Sequence, residues 1–292
     1  MILITGATGL NGSELVRRLS AKGIPSRALV RNPAKAQILA SLPNVEVVEG
    51  DMARPDSLTE ALRGIERAML ISSSDPTMIE TQSSFIDAAR RAGVRHVVKL
   101  SGIIPELDSP FRFARMHAEI EQRLEDSGLA YTHLRAGEFM PSYFRQVPSI
   151  VARGIMALPM ADARIASVDI GDLAEVAIVV LTTSGHEGKT YPLTGPESLT
   201  MAEVAEKLSA AIGKTIRYVD VPHEEAKAAR LAAGMPPYLA EGLDELFSER
   251  RRGKESKVWP TIEEVFGLKP TRFDEFARQN AAIFRGEQPS PR

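Results

Sequence analysis

Residues 1–12 read MILITGATGLNG, and this stretch decides the fold. The apolar, β-branched run from Met1 to Thr5 predicts a buried strand, and glycines follow at positions 6, 9 and 12 before a helical pattern begins. Glycines in such a loop let the backbone turn tightly and approach a pyrophosphate, while the start of the helix adds partial positive charge. The order of strand, glycine loop and helix therefore predicts a dinucleotide site. The alternative is an ordinary glycine-rich turn between a strand and a helix.

The same succession of strand, turn and helix repeats beyond this first unit. Predicted strands occupy residues 1–5, 26–30, 45–48, 68–72, 96–100 and 130–134, and predicted helices occupy residues 12–21, 55–62, 77–91 and 112–127. Most of these strands are apolar on both faces, which is typical of a parallel sheet covered by helices on both sides. The pattern predicts an α/β fold built on a doubly wound parallel sheet.

The regular alternation of predicted strands and helices weakens after about residue 135. Prolines and glycines interrupt the chain, and then a strand is predicted at 165–168 and a helix at 170–182. From residue 199 onward the pattern is mostly helical, with Thr200 and Glu203 in the spacing of a capping box. We expect a dinucleotide-binding domain over residues 1–150, its sheet completed by parts of 160–195, and a small, mainly helical substrate-binding lobe over 196–292.

The composition narrows the classes of partner and site. The 292 residues carry 36 Lys and Arg against 38 Asp and Glu, so no basic field is available to hold a nucleic acid. The lack of cysteine excludes disulfides and thiolate metal sites, and the spacing of the five histidines indicates no metal site. No basic leader follows Met1, and the apolar run at 174–181 is too short to span a bilayer. We expect a cytoplasmic protein without a membrane partner, as a monomer or a homodimer.

The end of the second predicted strand bears on the choice of dinucleotide. An acidic residue there accepts hydrogen bonds from a ribose 2′-hydroxyl, whereas a guanidinium binds a 2′-phosphate. Arg31 stands at this place, 19 residues beyond Gly12 and without an acidic neighbour. The residue favours NADP(H) over NAD(H) as cofactor, with NAD(H) left open as a second one. The alternative is a solvated surface arginine beside Pro33.

Further cofactor-binding candidates follow the later strands, because ligands of open α/β sheets bind at the carboxyl ends of the strands. Asp51 and Met52 follow the third strand, where a short acidic side chain can reach an adenine amine. Small serines follow the fourth and permit a close approach of the second ribose. The complete predicted cofactor-binding set is Gly6, Ala7, Thr8, Gly9, Leu10, Asn11, Gly12, Arg31, Asp51, Met52, Ser72, Ser73, Ser74, Ser101, Gly102 and Gly137.

Several segments together resemble one known family. They are TGATGLNG at 5–12, LVR at 29–31, EGD at 49–51, LSG at 100–102, SGLAYTHLRAG at 127–137 and SVDIGD at 167–172. This set resembles the NmrA-like atypical short-chain dehydrogenase/reductases over nearly the whole chain. Within that group it looks most like bacterial NAD(P)H-dependent reductases of quinones, triphenylmethane dyes and azo dyes. The resemblance implies an extended Rossmann fold that binds NADP, and a small C-terminal substrate lobe with a cleft before it.

The catalytic pattern of the wider superfamily is missing. Typical members carry Tyr-xxx-Lys on the helix after the fifth strand, and Phe113 and His117 stand at those two places here. Phenylalanine cannot protonate an alkoxide, so the sequence favours acceptors in which the charge after hydride transfer is delocalised. His117 is the candidate catalytic residue, where it would either hydrogen-bond the nicotinamide ribose or donate a proton. The alternative is that His117 is an ordinary packed or solvated histidine of the helix. Glu121, one turn further, either orients His117 or lies on the helix surface.

Aromatic and sulfur side chains after the sixth strand are candidates for a substrate wall. They can stack on a flat acceptor, although ordinary core packing is the alternative for each of them. The predicted substrate-contacting set is Phe113, Phe139, Met140, Tyr143 and Phe144, and Gly137 is expected to let the chain pass close to the nicotinamide. A basic run at 250–254, flanked by Glu249 and Glu255, is interpreted as a solvated loop.

The sequence therefore predicts an NADPH-dependent oxidoreductase that delivers hydride to a small, conjugated, electron-poor acceptor such as a quinone, an azo dye or a triphenylmethane dye. The alternative is a non-catalytic sensor that binds NADP(H) and reports its redox state, since the family also contains regulators that do not turn the dinucleotide over. A sugar epimerase or dehydratase ranks third, because those reactions usually need the missing Tyr-xxx-Lys.

Overall fold

A computed structural model describes residues 1–290. The chain forms two compact units. Unit 1 comprises residues 1–108, 113–135 and 173–192, and unit 2 comprises 109–112, 136–172 and the chain from Leu193 onward. The chain passes between units at positions that differ from the predicted boundaries at 150 and 196, and the assignment of a nucleotide role and a substrate role to the two parts stays a prediction.

The strands and helices alternate through the first half of the chain. The strands are β1 Ile2–Ile4, β2 Ser26–Val30, β3 Val45–Glu49, β4 Arg67–Leu70, β5 His96–Gly102, β6 Ala130–Ala136, β7 Ile155–Leu158, β8 Arg164–Ile165, β9 Lys189–Leu193, β10 Leu199–Thr200 and β11 Arg217–Asp220. The helices are α1 Leu10–Ala21, α2 Gln37–Ala40, α3 Leu58–Ala61, α4 Met78–Arg91, α5 Arg112–Glu125, α6 Val147–Arg153, α7 Ile170–Thr182, α8 Met201–Ile212, α9 His223–Ala232, α10 Pro237–Arg251, α11 Thr261–Glu264, α12 Phe273–Gln279 and α13 Ala281–Phe284.

The main sheet has seven strands in the order β3-β2-β1-β4-β5-β6-β9. Its central pairs are parallel: Ile2 of β1 lies opposite Ser26 of β2 on one side and opposite Arg67 of β4 on the other. The β2–β3 and β4–β5 pairs are parallel as well. The strand order therefore reverses at β1, which confirms the predicted doubly wound α/β fold. In such sheets the crevice for a ligand lies at the carboxyl ends of the strands beside this reversal.

The sheet forms because its strands are apolar on both faces. Leu3, Ile4, Val97 and Val98 are fully buried, and such strands gain free energy only when helices cover both sides. One predicted helix of unit 1 is shorter in the structure than the sequence indicates. The helix expected at 55–62 begins with a short 3-10 turn over Pro55–Ser57 and continues only as α3.

Unit 2 contains two small sheets and an aromatic core. β7 pairs with β11 in parallel and β8 pairs with β10 antiparallel. The ring of Phe144 stacks on Phe276 with centroids 5.5 Å apart. The predicted capping box at the start of α8 is confirmed, since the Thr200 hydroxyl accepts from the Glu203 amide at 3.2 Å. The strand expected at 165–168 shortens to β8, and Val168 forms only a single bridge with Phe139.

The basic run at 250–254 is not wholly the solvated loop that its flanking glutamates indicate. Arg250 belongs to α10 and is buried, with its guanidinium bonded to Glu138 and, at 2.7 Å, to Glu255. Burial lowers the pKa of Arg250, but the two carboxylates outweigh it and hold the pKa above its usual range. The sequence interpretation of this residue was wrong, because an arginine with two acidic partners can enter a core.

No helix along the described chain combines the length and the apolar character needed to cross a membrane.

Candidate functional site

A cavity of about 430 Å³ lies in unit 1 at the carboxyl ends of β1 to β4. Most of the predicted cofactor-binding residues line it together: Gly6, Thr8, Gly9, Leu10, Asn11, Gly12, Arg31, Asp51, Met52, Ser72 and Ser73. Its volume falls within the range typical of ligand pockets. The structure thus brings residues of four separate sequence segments together.

The glycine loop brings the backbone of β1 against the start of α1. Gly6 has a positive φ of 59°, which L residues rarely adopt. A Cβ added to Gly12 would lie 2.3 Å from the carbonyl oxygen of Gly6, so no side chain fits there. Gly9 caps α1, and the first turn of this helix contains no acidic side chain. The helix start therefore presents backbone N–H groups and partial positive charge to the cavity.

Ten of the residues that line the cavity were absent from the predicted set, and two of them, Thr5 and Gly50, contact residues distant in sequence. The Thr5 hydroxyl donates to the Ile71 carbonyl at 2.7 Å and accepts from the Ile71 amide at 2.7 Å. It thereby ties the end of β1 to the end of β4. A Cβ added to Gly50 would lie 2.7 Å from the Leu29 side chain and 3.2 Å from the Ser57 carbonyl oxygen, so the space for a side chain there is small. Neither contact can be seen without knowing which strands are neighbours.

The charged side chains that follow β2 and β3 differ in whether other residues already pair with them. Arg31 is exposed at the cavity, and among residues 1–290 no carboxylate lies within 4.0 Å of its guanidinium. Asp51 is partly engaged, because its Oδ1 accepts from the Ala53 amide at 3.0 Å and Arg54 lies 3.6 Å away. Arg31 is therefore placed to receive an anionic group of a ligand.

The residues present fit a dinucleotide. The contact between Gly12 and Gly6 makes a cradle that a Cβ would fill, as close backbone approach to a pyrophosphate requires. The buried Oδ1 of Asn11 has no hydrogen-bond partner in the part of the chain that the structure describes. Buried polar atoms are nearly always paired, so this atom indicates a polar group of a bound ligand.

Other predicted residues lie elsewhere. Ala7 is fully buried and Ser74 is exposed, and neither lines the cavity. Gly137 belongs to unit 2, where its amide donates to Leu193 and an added Cβ would lie 2.8 Å from the Ala166 carbonyl oxygen. Close strand packing thus gives a reason for this glycine, and its approach to a nicotinamide stays a prediction.

The predicted substrate wall is largely packed. Met140 and Phe144 belong to the apolar core of unit 2, and Phe113 is buried in unit 1. Phe139 is half-buried. The Tyr143 hydroxyl lies 3.0 Å from the Ser167 hydroxyl, and the Tyr143 side chain lines a second cavity inside unit 2. The acceptor contacts of these residues stay predictions.

A buried polar cluster at the end of β5 gathers Ser101, Gly102 and His117 around Lys99. The Lys99 ammonium is fully buried and donates to the Ser101 hydroxyl at 3.0 Å, and its Nζ lies 2.9 Å from Nδ1 of His117. A Cβ added to Gly102 would lie 3.1 Å from the His117 ring. Lys99 is missing from the predicted set, although one signal was available: a lysine inside a strand that is apolar on both faces must be buried.

The charges in this cluster fix the state of His117. Burial lowers the pKa of Lys99 to about 7, with Glu121 opposing the shift and Arg135 adding to it. Burial and the Lys99 charge together hold the pKa of His117 well below its usual value. His117 is therefore neutral at neutral pH and accepts from the Lys99 ammonium at Nδ1. Its own proton then resides on Nε2, so Nε2–H is a hydrogen-bond donor.

Neither alternative for Glu121 holds. Its side chain is buried rather than on the helix surface, and it bonds to Arg135 at 2.5 Å instead of to His117. Burial raises the pKa of Glu121, but the Arg135 hydrogen bond and neighbouring charges outweigh it and lower the pKa overall. Lys99, rather than Glu121, is the group that orients His117.

Three ligand-type side chains that the sequence did not group come together beside this cluster. Oxygen and nitrogen atoms of Glu121, Glu125 and His133 lie within 4.8 Å of one another. The His133 Nε2 lies 3.0 Å from a Glu125 oxygen, and Arg135 already occupies Glu121. A metal ion here would have to compete with that guanidinium.

Comparison with known proteins places these features in a family. A model of the NmrA-like family matches residues 1–277. The chain is 37% identical over 284 residues to an NAD(P)H azoreductase of Xenophilus azovorans, covering 97% of this chain and 99% of that protein. Two similar solved structures contain the dinucleotide. NADPH-dependent quinone oxidoreductase QOR2 of Escherichia coli, complexed with NADPH, gives a TM-score of 0.87 at 33% identity over 96% of this chain and 99% of that one.

The second structure is triphenylmethane reductase of Citrobacter sp., complexed with NADP(H), with a TM-score of 0.85 at 30% identity over 96% of this chain and 99% of that one. The resemblance drawn from the sequence motifs is therefore confirmed over nearly the full length. With its glycine cradle at the reversal of a doubly wound sheet and a family match over residues 1–277, this chain belongs to the NmrA-like family.

Proposed function

We propose that this protein is an NADPH-dependent oxidoreductase whose acceptor is a conjugated, electron-poor molecule of the quinone, azo or triphenylmethane type. The observation that carries the proposal is the unpaired Arg31 beside the glycine cradle in one cavity. The activities for which the azoreductase, quinone oxidoreductase and triphenylmethane reductase relatives are named support the acceptor class. NADPH, when bound, supplies a hydride to the acceptor.

The residues of the cavity would hold the dinucleotide at several points. The backbone N–H groups at the start of α1 bind the pyrophosphate, and Arg31 binds the 2′-phosphate. Ser72 and Ser73, at the end of β4, leave room for the second ribose. Gln82 holds this end in place, because its amide donates to the Ser72 hydroxyl at 2.8 Å.

Lys99 and His117 would supply the proton that accompanies hydride transfer. β5 is the neighbour of β4 in the sheet, so the end of β5 is the next position along the edge that the cavity occupies. The Nε2 proton of His117 passes to the reduced acceptor, and Nδ1 takes a proton from the Lys99 ammonium. Lys99 is left neutral, which its pKa of about 7 permits, and water then restores its proton.

Oxidation of NADPH and NADH by the purified protein tests the function directly, against a panel of quinones, azo dyes and triphenylmethane dyes. We expect turnover of at least one acceptor class with a preference for NADPH. Tight NADPH binding without turnover of any acceptor would contradict the reductase and support the redox sensor instead. Failure to bind either dinucleotide would contradict both functions.

Replacing Arg31 with aspartate is expected to raise the Kd for NADPH about 30-fold, because a charge-assisted phosphate contact is worth about 2 kcal/mol. The Kd for NADH should change little or fall, since aspartate can accept from a free 2′-hydroxyl. Fluorescence titration of both dinucleotides measures the two values. The matched control is Arg63→Asp, which removes an exposed arginine that pairs only with its helix neighbour Glu60. An unchanged ratio of the two Kd values in the Arg31 variant would refute the phosphate assignment.

A further inference from the structure

A second cavity of about 430 Å³ lies wholly inside unit 2. Its wall is formed by α6, β7, α9 and α10 together with the turn before α6. Most of the wall is apolar, and the large contributors are Leu158, Met160, Ile165, Met201, Leu243 and Phe247. An apolar cavity of this size with a few polar groups is the usual form of a small-molecule site.

Arg230 is the unusual group in this wall. Its Nε and Nη2 are buried and have no hydrogen-bond partner within residues 1–290, and its guanidinium lies 5.2 Å from the centre of the Phe247 ring. The nearest carboxylate, that of Asp244, lies 3.7 Å from Nη2, which is too long for a hydrogen bond, and it instead contacts His223 at 2.9 Å. Leaving guanidinium N–H groups unpaired away from water is costly, so the arrangement indicates an acceptor that arrives with a ligand.

The other charged side chains of the wall are largely paired. Four arginines line the cavity, namely Arg145, Arg153, Arg230 and Arg250, against the two acidic residues Glu138 and Glu225. Arg250 and Glu138 already pair with each other, and Arg145 lies 3.9 Å from Glu138. Arg250 bonds to Glu255 as well, and Arg153 donates to the Ser149 hydroxyl. Arg230, whose Nε and Nη2 have no hydrogen-bond partner within residues 1–290, is therefore the group of this wall that favours an anion.

We propose that this cavity binds an amphipathic organic anion, with a carboxylate or sulfonate head and an apolar body. The head accepts from the guanidinium of Arg230, whose planar fork of N–H groups matches two oxygens of such an anion. The body packs on Phe247, Leu243 and Met201. Binding at this site does not depend on the proposed reductase activity, because both the cavity and Arg230 belong to unit 2 alone.

Calorimetric titration of the full-length protein with decanoate and decanol tests the site. The two probes share a similar body and differ in the charged head. We expect decanoate to bind at one site per chain and decanol to bind at least about tenfold more weakly, since the head contributes a charge-assisted hydrogen-bond pair. Naphthalenesulfonate, which tests the other head, is expected to compete with decanoate. Equal affinity for decanoate and decanol, or no binding of either acid, would overturn the proposal.

Variants of Arg230 locate the binding. Arg230→Met should weaken decanoate about tenfold and leave decanol unchanged, while Arg230→Lys, which keeps the charge but loses the planar pair of donors, should have an intermediate effect. Arg278→Met is the matched control, because it removes an exposed arginine of unit 2 that pairs with Asp274. If Arg230→Met does not fold, two other measurements still test the site. They are the decanoate affinity of the Arg230→Lys variant and the comparison of decanoate with decanol on the unaltered chain. Undiminished decanoate affinity in a folded Arg230 variant would place the anion elsewhere and refute this site.

Discussion

Replacing Gly12 with alanine is expected to weaken NADPH binding by about 100-fold, or about 2.7 kcal/mol, which is somewhat more than the loss of one charge-assisted hydrogen bond. The new Cβ would lie 2.3 Å from the Gly6 carbonyl oxygen and 2.7 Å from its carbonyl carbon. The loop and the start of α1 must therefore move apart. The backbone N–H groups that would bind a pyrophosphate then no longer point at one place. The Kd from a fluorescence titration is the measurement.

The matched control is Gly23→Ala, at the far end of the same helix. Gly23 has a positive φ of 70° with no atom within 4 Å of an added Cβ, so alanine there strains the backbone without reaching the cavity. We expect a loss of about 1 kcal/mol in the free energy of unfolding and an unchanged Kd for NADPH. If Gly12→Ala instead binds NADPH within about threefold of the unaltered chain, the cradle is not the pyrophosphate site.

The grouping of the glycine loop with Arg31 in one cavity was predictable because its signal is local. The loop from Gly6 to Gly12 lies within one strand–turn–helix unit, and Arg31 directly follows the next strand. In such a unit, spacing along the chain determines spacing in space. The residues that line the cavity together are therefore mostly those that the sequence indicates.

The remaining features depend on contacts between distant segments. Thr5 acts through Ile71, and Lys99 acts through His117 on a different element. Glu121 was expected to contact His117 because helix periodicity places them one turn apart, but Arg135 on β6 binds it instead. Helix spacing shows which side chains can meet on one helix, whereas the neighbouring strand determines which of them do.

Buried charged residues were the least predictable from the sequence, because they too depend on contacts between distant segments. Lys99 and Arg250 are both buried, and each is stabilised by partners on other elements. A sequence pattern reports the average preference of lysine and arginine for the surface. The exceptions require specific partners, and these are found only once the fold is known.

Replacing Lys99 with methionine is expected to lower kcat for the preferred acceptor about 100-fold, the usual contribution of a placed proton donor, with little change in the KM for NADPH. Methionine matches the length of the lysine stem and removes the charge. His117 loses the donor that fixes its tautomer, and its pKa should rise because the nearby positive charge is gone. Steady-state kinetics and NMR titration of His117 measure these effects. Lys269→Met, at a lysine that is 81% exposed, is the matched control and should leave both values unchanged.

The pH profile distinguishes proton donation from a merely structural role of Lys99. In the unaltered chain kcat should fall as pH rises through about 7, where the Lys99 ammonium loses its proton, and this limb should be absent in Lys99→Met. The groups that act on this titration are Glu121, Arg135, His117 and His133, and all of them remain in the variant. A kcat that stays within about threefold of the unaltered value and keeps its alkaline fall would exclude Lys99 as the donor.

The pH dependence of the free energy of unfolding tests the protonation of Lys99 without requiring turnover. The pKa of Lys99 is about 7 in the folded chain and 10.5 in a model peptide, so between these values the unfolded chain binds a proton that the folded chain has released. The free energy of unfolding should therefore rise with pH across this window relative to Lys99→Met, and the difference should be constant below about pH 7. A difference that stays flat across the window would mean that Lys99 remains charged in the fold, and it could then orient His117 but could not yield its proton near neutral pH.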